Sequence, residues 1–226
     1  MKALVFDSGP LITFALNSVL HALPFLRKEY GGSFYVCNAV HKEVIETPSH
    51  SKKFSLEAMQ VQHLITQGHL ELYDTSEYAQ ETHIITELTN SIYSINGKNL
   101  TILNAGELDA LVLAKNINAE AVVVDERTTR LILENPFRLQ KLLEKKFGGK
   151  VAINRAKLHE FERHFSPLKI IRSVELALIA VEKGFFDHLI HEHSRSSLVY
   201  SLLWALKLNG CAVSEREIAI LVKMYK

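Results

Sequence analysis

At 226 residues the chain is long enough to bury a sizeable core, as one large domain or as a domain with a smaller appendage. Hydrophobic residues make up 47% and charged residues 23%, the balance of a soluble globular protein. No apolar run is long enough to span a bilayer and no basic leader with a cleavage site opens the chain, so a membrane role and export are not expected. Two cysteines, Cys37 and Cys211, lie far apart without metal-ligand spacing. They read as small packed hydrophobes in a reducing cytoplasm.

The net charge of +1 hides an asymmetry. Residues 1–126 carry 8 Lys/Arg against 15 Asp/Glu, residues 127–172 carry 12 against 4, and residues 173–226 carry 6 of each. An acidic part beside a basic stretch suits metal binding next to a polyanion. The basic stretch reads equally well as a solvated helix face.

Taken in chain order, "ALVF" (3–6) is a short apolar strand followed by turn residues. Ser8 reads as an N-cap and Pro10 fits the first turn of the next helix. "SFYV" (33–36), after Gly31-Gly32, is a second strand, and "NAVHKEVIETP" opens a helix that Pro48 is expected to end. "HLELY" (69–73) is a third strand, and residues 76–96 read as a polar-rich helix up to "NGK". "NAGELDALVLAKNIN" (104–118) has Leu108, Leu111, Val112 and the stem of Lys115 on one helical face. "EAVVVDE" (120–126) is the β-branched run that a central parallel strand needs. "LKII" (168–171) is a last strand. Two helices follow in "VELALIAVEKGFF" and "SSLVYSLLWALKLNG", the second stopped by Gly210. "SEREIAILVKMY" closes the chain, with Ser214 as N-cap and Glu217 at the capping-box position. Strands alternating with helices predict an α/β fold with a central parallel sheet.

In open α/β sheets, ligands bind beyond the carboxyl ends of the strands. Asp7 follows the first strand and Asp125 follows "AVVV", so both are expected at that edge. Glu43 lies in the helix after the second strand, and Glu107 and Asp109 in the first turns of the 104–118 helix. Gathered carboxylates raise one another's pKa unless a cation separates them. Mg²⁺ and Mn²⁺ prefer oxygen ligands and lower the pKa of water for in-line attack on a phosphodiester. Each residue also has a plain structural reading. Asp7 could cap a helix, Glu43 could be a solvated residue, and Glu107, three after Asn104, could close a capping box. Glu107 and Asp109, two apart, point to different helix faces, and Asp109 is the harder to explain structurally.

Together, "VFDSGPLI", "AVHKEV", "GELDALVLA" and "VVVDERTTR" resemble a PIN domain, the metal-dependent ribonuclease fold of many prokaryotic toxins and RNA-processing enzymes. The resemblance implies a three-layer α/β/α fold in which Asp7, Glu43, Asp109 and Asp125 are the catalytic and metal-binding acids. Ser8, Glu107 and Thr128 would be auxiliary to them. Arg127, Arg130 and Arg172 would meet phosphate, Arg being suited to bidentate pairing. "IIRSVELALIAVEKGFF" and "LKLNGCAVSEREIAILVK" are similar to the ending of a prokaryotic PIN subgroup, whereas the basic "FRLQKLLEKKFGGK" within 134–167 has no counterpart there. The implied organisation is a PIN-like domain over 1–174 with a C-terminal helical extension over 175–226.

The resulting expectation is a cytoplasmic Mg²⁺- or Mn²⁺-dependent endonuclease acting on single-stranded RNA. The alternatives are a catalytically silent RNA-binding or scaffold protein and the toxin of a toxin–antitoxin pair. Family resemblance also implies a possible homodimer or an antitoxin-like partner. "HLIHEH" (188–193) lacks a third zinc ligand and reads as helix-end or surface histidines. Tyr200 and Trp204 read as core or dimer packing.

Overall fold

The structure, a computed structural model, describes residues 2–190 and 194–225, so part of the "HLIHEH" motif lies outside the described residues. The strands are β1 (Ala3–Phe6), β2 (Ser33–Cys37), β3 (Glu71–Tyr73), β4 (Tyr93–Ile95), β5 (Lys98–Asn99), β6 (Ala121–Val123), β7 (Val151–Ile153) and β8 (Ile170–Ile171). The first helices are α1 (Ser8–Leu16), α2 (Ala22–Tyr30), α3 (Asn38–His41), α4 (Thr47–Ser49), α5 (Ser55–Thr66), α6 (Ala79–Thr89) and α7 (Ala105–Asn116). They are followed by α8 (Arg127–Glu134), α9 (Pro136–Phe147), α10 (Arg155–Phe165), α11 (Ser173–Glu182), α12 (Arg195–Leu208) and α13 (Glu215–Lys223).

Five strands form a parallel sheet in the order β3-β2-β1-β6-β8. The chain builds outward from β1 through β2 to β3, then crosses back to place β6 on the other side of β1. The strand order therefore reverses between β1 and β6, the place where α/β sheets bind ligands. β1 and β6 are buried along their whole length, which explains their unbroken apolar composition. α7 packs across β1, β2 and β6, with α6 outside it and α10 beyond. α11 packs on α1, α2 and α12 to form the other layer of a three-layer α/β/α fold. Leu202, Leu203, Leu206 and Ile218 of the last two helices join the same continuous core as Val5 and Phe6. Among the described residues no helix is long and apolar enough to cross a membrane.

Several local expectations are corrected. Ser8 is the first residue of α1 rather than its cap, and the cap position falls on Asp7. Pro48 does not end the helix that follows β2. That helix passes through a π-turn over Lys42–Glu46, and Pro48 sits in the opening positions of α4, where a missing N–H is tolerated. Residues 93–96 leave the expected helix and, with 97–99, form a hairpin around Asn96-Gly97. Both turn residues have positive φ (49° and 76°), the requirement of a tight hairpin that suits Asn-Gly. This hairpin pairs with β7 in a second, antiparallel sheet of order β5-β4-β7, against which α9 packs.

Candidate active site

Asp7 and Asp125 stand at the carboxyl ends of the two central strands. Phe6 is in register with Val123, and the Asp7 amide donates to the Val123 carbonyl at 3.0 Å. Gly9, at the start of α1, fits between the two acids. A Cβ there would lie 3.6 Å from Asp125 Cβ and 3.8 Å from Asp7 Oδ2. Both acids are buried. Burial, then the charges of Glu107 and Glu43, push the Asp7 carboxyl up to about 7, against the lowering influence of the Ser8 and Gly9 amides.

Glu107 is held by two bonds. Its Oε2 accepts from the Asn104 amide at 2.8 Å, half of a full capping box, and its Oε1 accepts from the buried Thr129 hydroxyl. Burial raises its pKa, and the charges of Glu126 and Glu43 add to the rise. Glu43 is exposed in the first turn of the π-segment and reaches toward α7. Its Oε2 would stand 3.5 Å from a Cβ on Gly106. The structural and functional readings of Glu107 therefore coexist: the residue that caps α7 also adds charge beside Asp7.

Asp109 faces a different direction, as its position two residues from Glu107 implies. Its Oδ2 accepts from the Ala39 amide at 3.3 Å and from the buried Thr75 hydroxyl at 3.0 Å, fixing the first turn of α3. Cys37 lies beside it, and burial followed by the Asp109 charge pushes the thiol up. Asp125 Oδ1 accepts from the Ser173 amide at 2.8 Å, while its Oδ2 is buried without a hydrogen-bond partner. Cys211, whose thiol burial and the Asp125 charge push up to about 12, closes the other side.

Among the described residues, none of these five carboxylates pairs with a Lys, Arg or His. No three His, Cys, Asp or Glu side chains there stand as a ready-made ligand set. The donor set is nonetheless all carboxylate oxygen, and Asp125 offers one buried oxygen with nothing to accept from. Both features fit a hard divalent cation.

Of the expected phosphate contacts, Arg127 is exposed two residues after Asp125, with Thr128 half-buried beside it. Arg130 is half-buried and lies 3.6 Å from Glu134. Arg172 is buried and already committed. It bonds Glu175, Glu217 and the Ala212 carbonyl, clasping α13 to the end of β8. Ser8 is buried in the first turn of α1. The residues that sequence reasoning passed over are Thr75 and Thr129, each buried and donating its hydroxyl to one of the acids; buried Ser173, at the tip of the last strand, holds Asp125 through its amide. The signal of the two threonines was position, since both closely follow strands of the parallel sheet. A cavity of about 650 Å³ opens toward the opposite edge of the sheet, beside Leu4, Phe34 and Ala121, and none of these acids lines it.

Asp7 and Asp125, buried side by side where the strand order of a parallel α/β/α sheet reverses, define the class: an α/β/α fold with acids at the carboxyl edge of its sheet. Residues 3–136 match a family described as a PIN domain, which is more than half of the chain, and the chain belongs to that family. PIN domains are usually nucleases, a class of hydrolase, and generally use divalent metal ions. No curated protein and no solved structure matches the chain. The matched span contains Asp7, Glu43, Glu107, Asp109 and Asp125, whereas Arg172, Ser173 and Cys211 lie beyond it.

Proposed function

We propose that the protein is a metal-dependent endoribonuclease that hydrolyses phosphodiester bonds of single-stranded RNA. The observation that carries this reading is the pair Asp7 and Asp125, buried on either side of Gly9 with no cationic side chain beside them among the described residues. Leaving such charges buried and unpaired costs several kcal/mol, roughly what a bound cation would return. Mg²⁺ or Mn²⁺ there would neutralise the carboxylates and supply the Lewis acidity that activates water against a phosphodiester.

The chain's own residues would divide the remaining work. Asp7 and Asp125 hold the ion from adjacent strand tips, and Glu43 reaches in from its exposed turn. Glu107, fixed by Asn104 and Thr129, presents a rigid carboxylate whose charge keeps the site attractive to cations. Asp109, bound to Ala39 and Thr75, is better placed to orient α3, and through it Glu43, than to ligate directly. Arg127 and Thr128, two and three residues after Asp125, would receive a phosphate of the substrate.

The test is cleavage of a labelled single-stranded RNA panel in Mn²⁺ and in Mg²⁺, with Asp7→Asn and Asp125→Asn as controls. Either substitution is expected to reduce the rate by more than about 100-fold. Cleavage that survives both substitutions would overturn the assignment. RNA that binds but is never cut by the wild type would favour a silent binding protein.

A further inference from the structure

Helix α9 begins where the family-matched span ends, at residue 136. Asn135 caps it, Pro136 occupies its first turn and Gly148 stops it in the left-handed region. Its inner face is Pro136, Leu139 and Leu143, all buried, and the Tyr93 hydroxyl donates to the Pro136 carbonyl at 2.9 Å, anchoring the helix to β4. At 100° per residue, the side directly opposite carries Phe137, Arg138, Lys141 and Lys145. All four are exposed, Phe137 by 53%.

Three features set this face apart from an ordinary solvated helix. Solvated faces usually mix both signs of charge. Here the helix's one acid, Glu144, is turned away to accept from the Val151 amide, and among the described residues none of the three cations pairs with a carboxylate. An aromatic ring, Phe137, also stands beside the cations with more than half of its surface exposed. Finally, positive charge continues past the helix: exposed Lys150 lies two residues beyond Gly148, the turn that ends α9.

We propose that this face is a docking site for single-stranded nucleic acid: a base stacks on Phe137, while Arg138, Lys141 and Lys145 hold successive phosphates. Cations spaced about 4.5 and 6 Å along the helix axis, with a ring beside them, supply the two elements of sequence-tolerant single-strand binding. The choice of RNA as ligand rests on the ribonuclease reading; the stacking-plus-phosphate chemistry does not.

The experiment is fluorescence anisotropy of the full chain with a labelled 12-nucleotide oligouridylate in EDTA, across a salt series. Phe137→Ala is expected to weaken binding about fivefold or more at every salt concentration, and Phe137→Trp to restore it. The triple variant R138Q/K141Q/K145Q is expected to reduce the salt slope by about 2, close to 0.7 per lost phosphate contact. All four positions are exposed, so circular dichroism and melting should match wild type. Binding unchanged by both variants would overturn the proposal. So would loss of polyglutamate binding equal to the loss of RNA binding with no effect of Phe137→Ala, because the face would then be a generic anion patch. Cleavage in Mn²⁺ is scored separately. A wild type that binds through α9 but never cuts sinks the nuclease reading alone, and a wild type that cuts while binding ignores α9 sinks this proposal alone.

Discussion

The sharpest consequence of the site is a pH-dependent instability located at Asp7. Its carboxyl is pushed from 3.8 to about 7, first by burial and then by Glu107 and Glu43. At about 1.4 kcal/mol per pH unit, the ionised folded state carries a penalty of roughly 4 kcal/mol in the absence of a cation. The sign follows from which state holds the proton. Below 3.8 the group is protonated folded and unfolded, and contributes nothing. Between 3.8 and about 7 only the folded state keeps its proton, so stability falls as pH rises, and above about 7 the penalty levels off. Asp7→Asn keeps the shape and removes the charge. In EDTA the variant should therefore be more stable than wild type, with the gap widening by roughly 3 kcal/mol between about pH 4.5 and pH 8. For a chain of this size that gap is roughly 6–12 °C in Tm, read by circular-dichroism melting of both proteins. Saturating Mn²⁺ should close the gap by raising wild type alone, since a ligand stabilises the state that binds it. Melting curves that stay parallel across the pH range would refute the reasoning, because Asp7 would then not be a buried, repelled carboxylate.

Other substitutions probe the supports around the acids. Arg172→Met removes the bonds to Glu175, Glu217 and the Ala212 carbonyl, and should lower stability to urea by about 2–4 kcal/mol, with Arg172→Lys recovering part. Equal stability of Arg172→Met and wild type would show that the clasp holds nothing. Thr129→Val leaves Glu107 without its hydroxyl partner, at about 1–3 kcal/mol by thermal melting, and should raise the Mn²⁺ concentration needed for half-maximal stabilisation. Gly32→Ala would place a Cβ 2.4 Å from the Lys2 carbonyl, between β1 and β2, and should destabilise by more than about 2 kcal/mol. Gly106→Ala, whose nearest contacts would be 3.3 and 3.5 Å, should lose less than about 1 kcal/mol by the same measurement.

The strands of the parallel sheet were legible because each is a short apolar run with turn residues beside it, and the acids were legible because they terminate those runs or open the helices that follow. The hairpin at 93–99 carried its own signal in Asn96-Gly97, but the polar helix before it masked the change of period. The roles of Glu107 and Asp109 were less legible. Spacing showed that the two point apart, but only tertiary packing shows which of them meets Asp7. Glu107 does so because Thr129, one turn into α8, turns it toward β6, whereas Thr75 beyond β3 draws Asp109 toward α3. Both threonines are ordinary residues in sequence and become informative only where strands distant along the chain are brought side by side. The partners of Arg172 were hidden for a related reason. Its place at a strand tip suggested phosphate, but its partner Glu217 lies 45 residues away on the last helix.

That last helix pair also bears on how an unpaired acid can be kept in place. Asp125 belongs to the family-matched span, yet part of what holds it does not. The Ser173 amide holds one carboxylate oxygen, the Ala212 amide donates to the Asp125 carbonyl at 3.2 Å, and Arg172 bonds the carbonyl of the same Ala212. A buried carboxylate with one orphaned oxygen tends to rotate toward solvent. It stays aimed only where surrounding structure holds it, and here residues 172–213 do so from two sides. Ser173, which opens α11, and Ala212, between α12 and α13, thus tie the C-terminal segment to Asp125 as well as to the core. The stability that their packing supplies through Leu203, Leu206 and Ile218 offsets what the repelled acids take away.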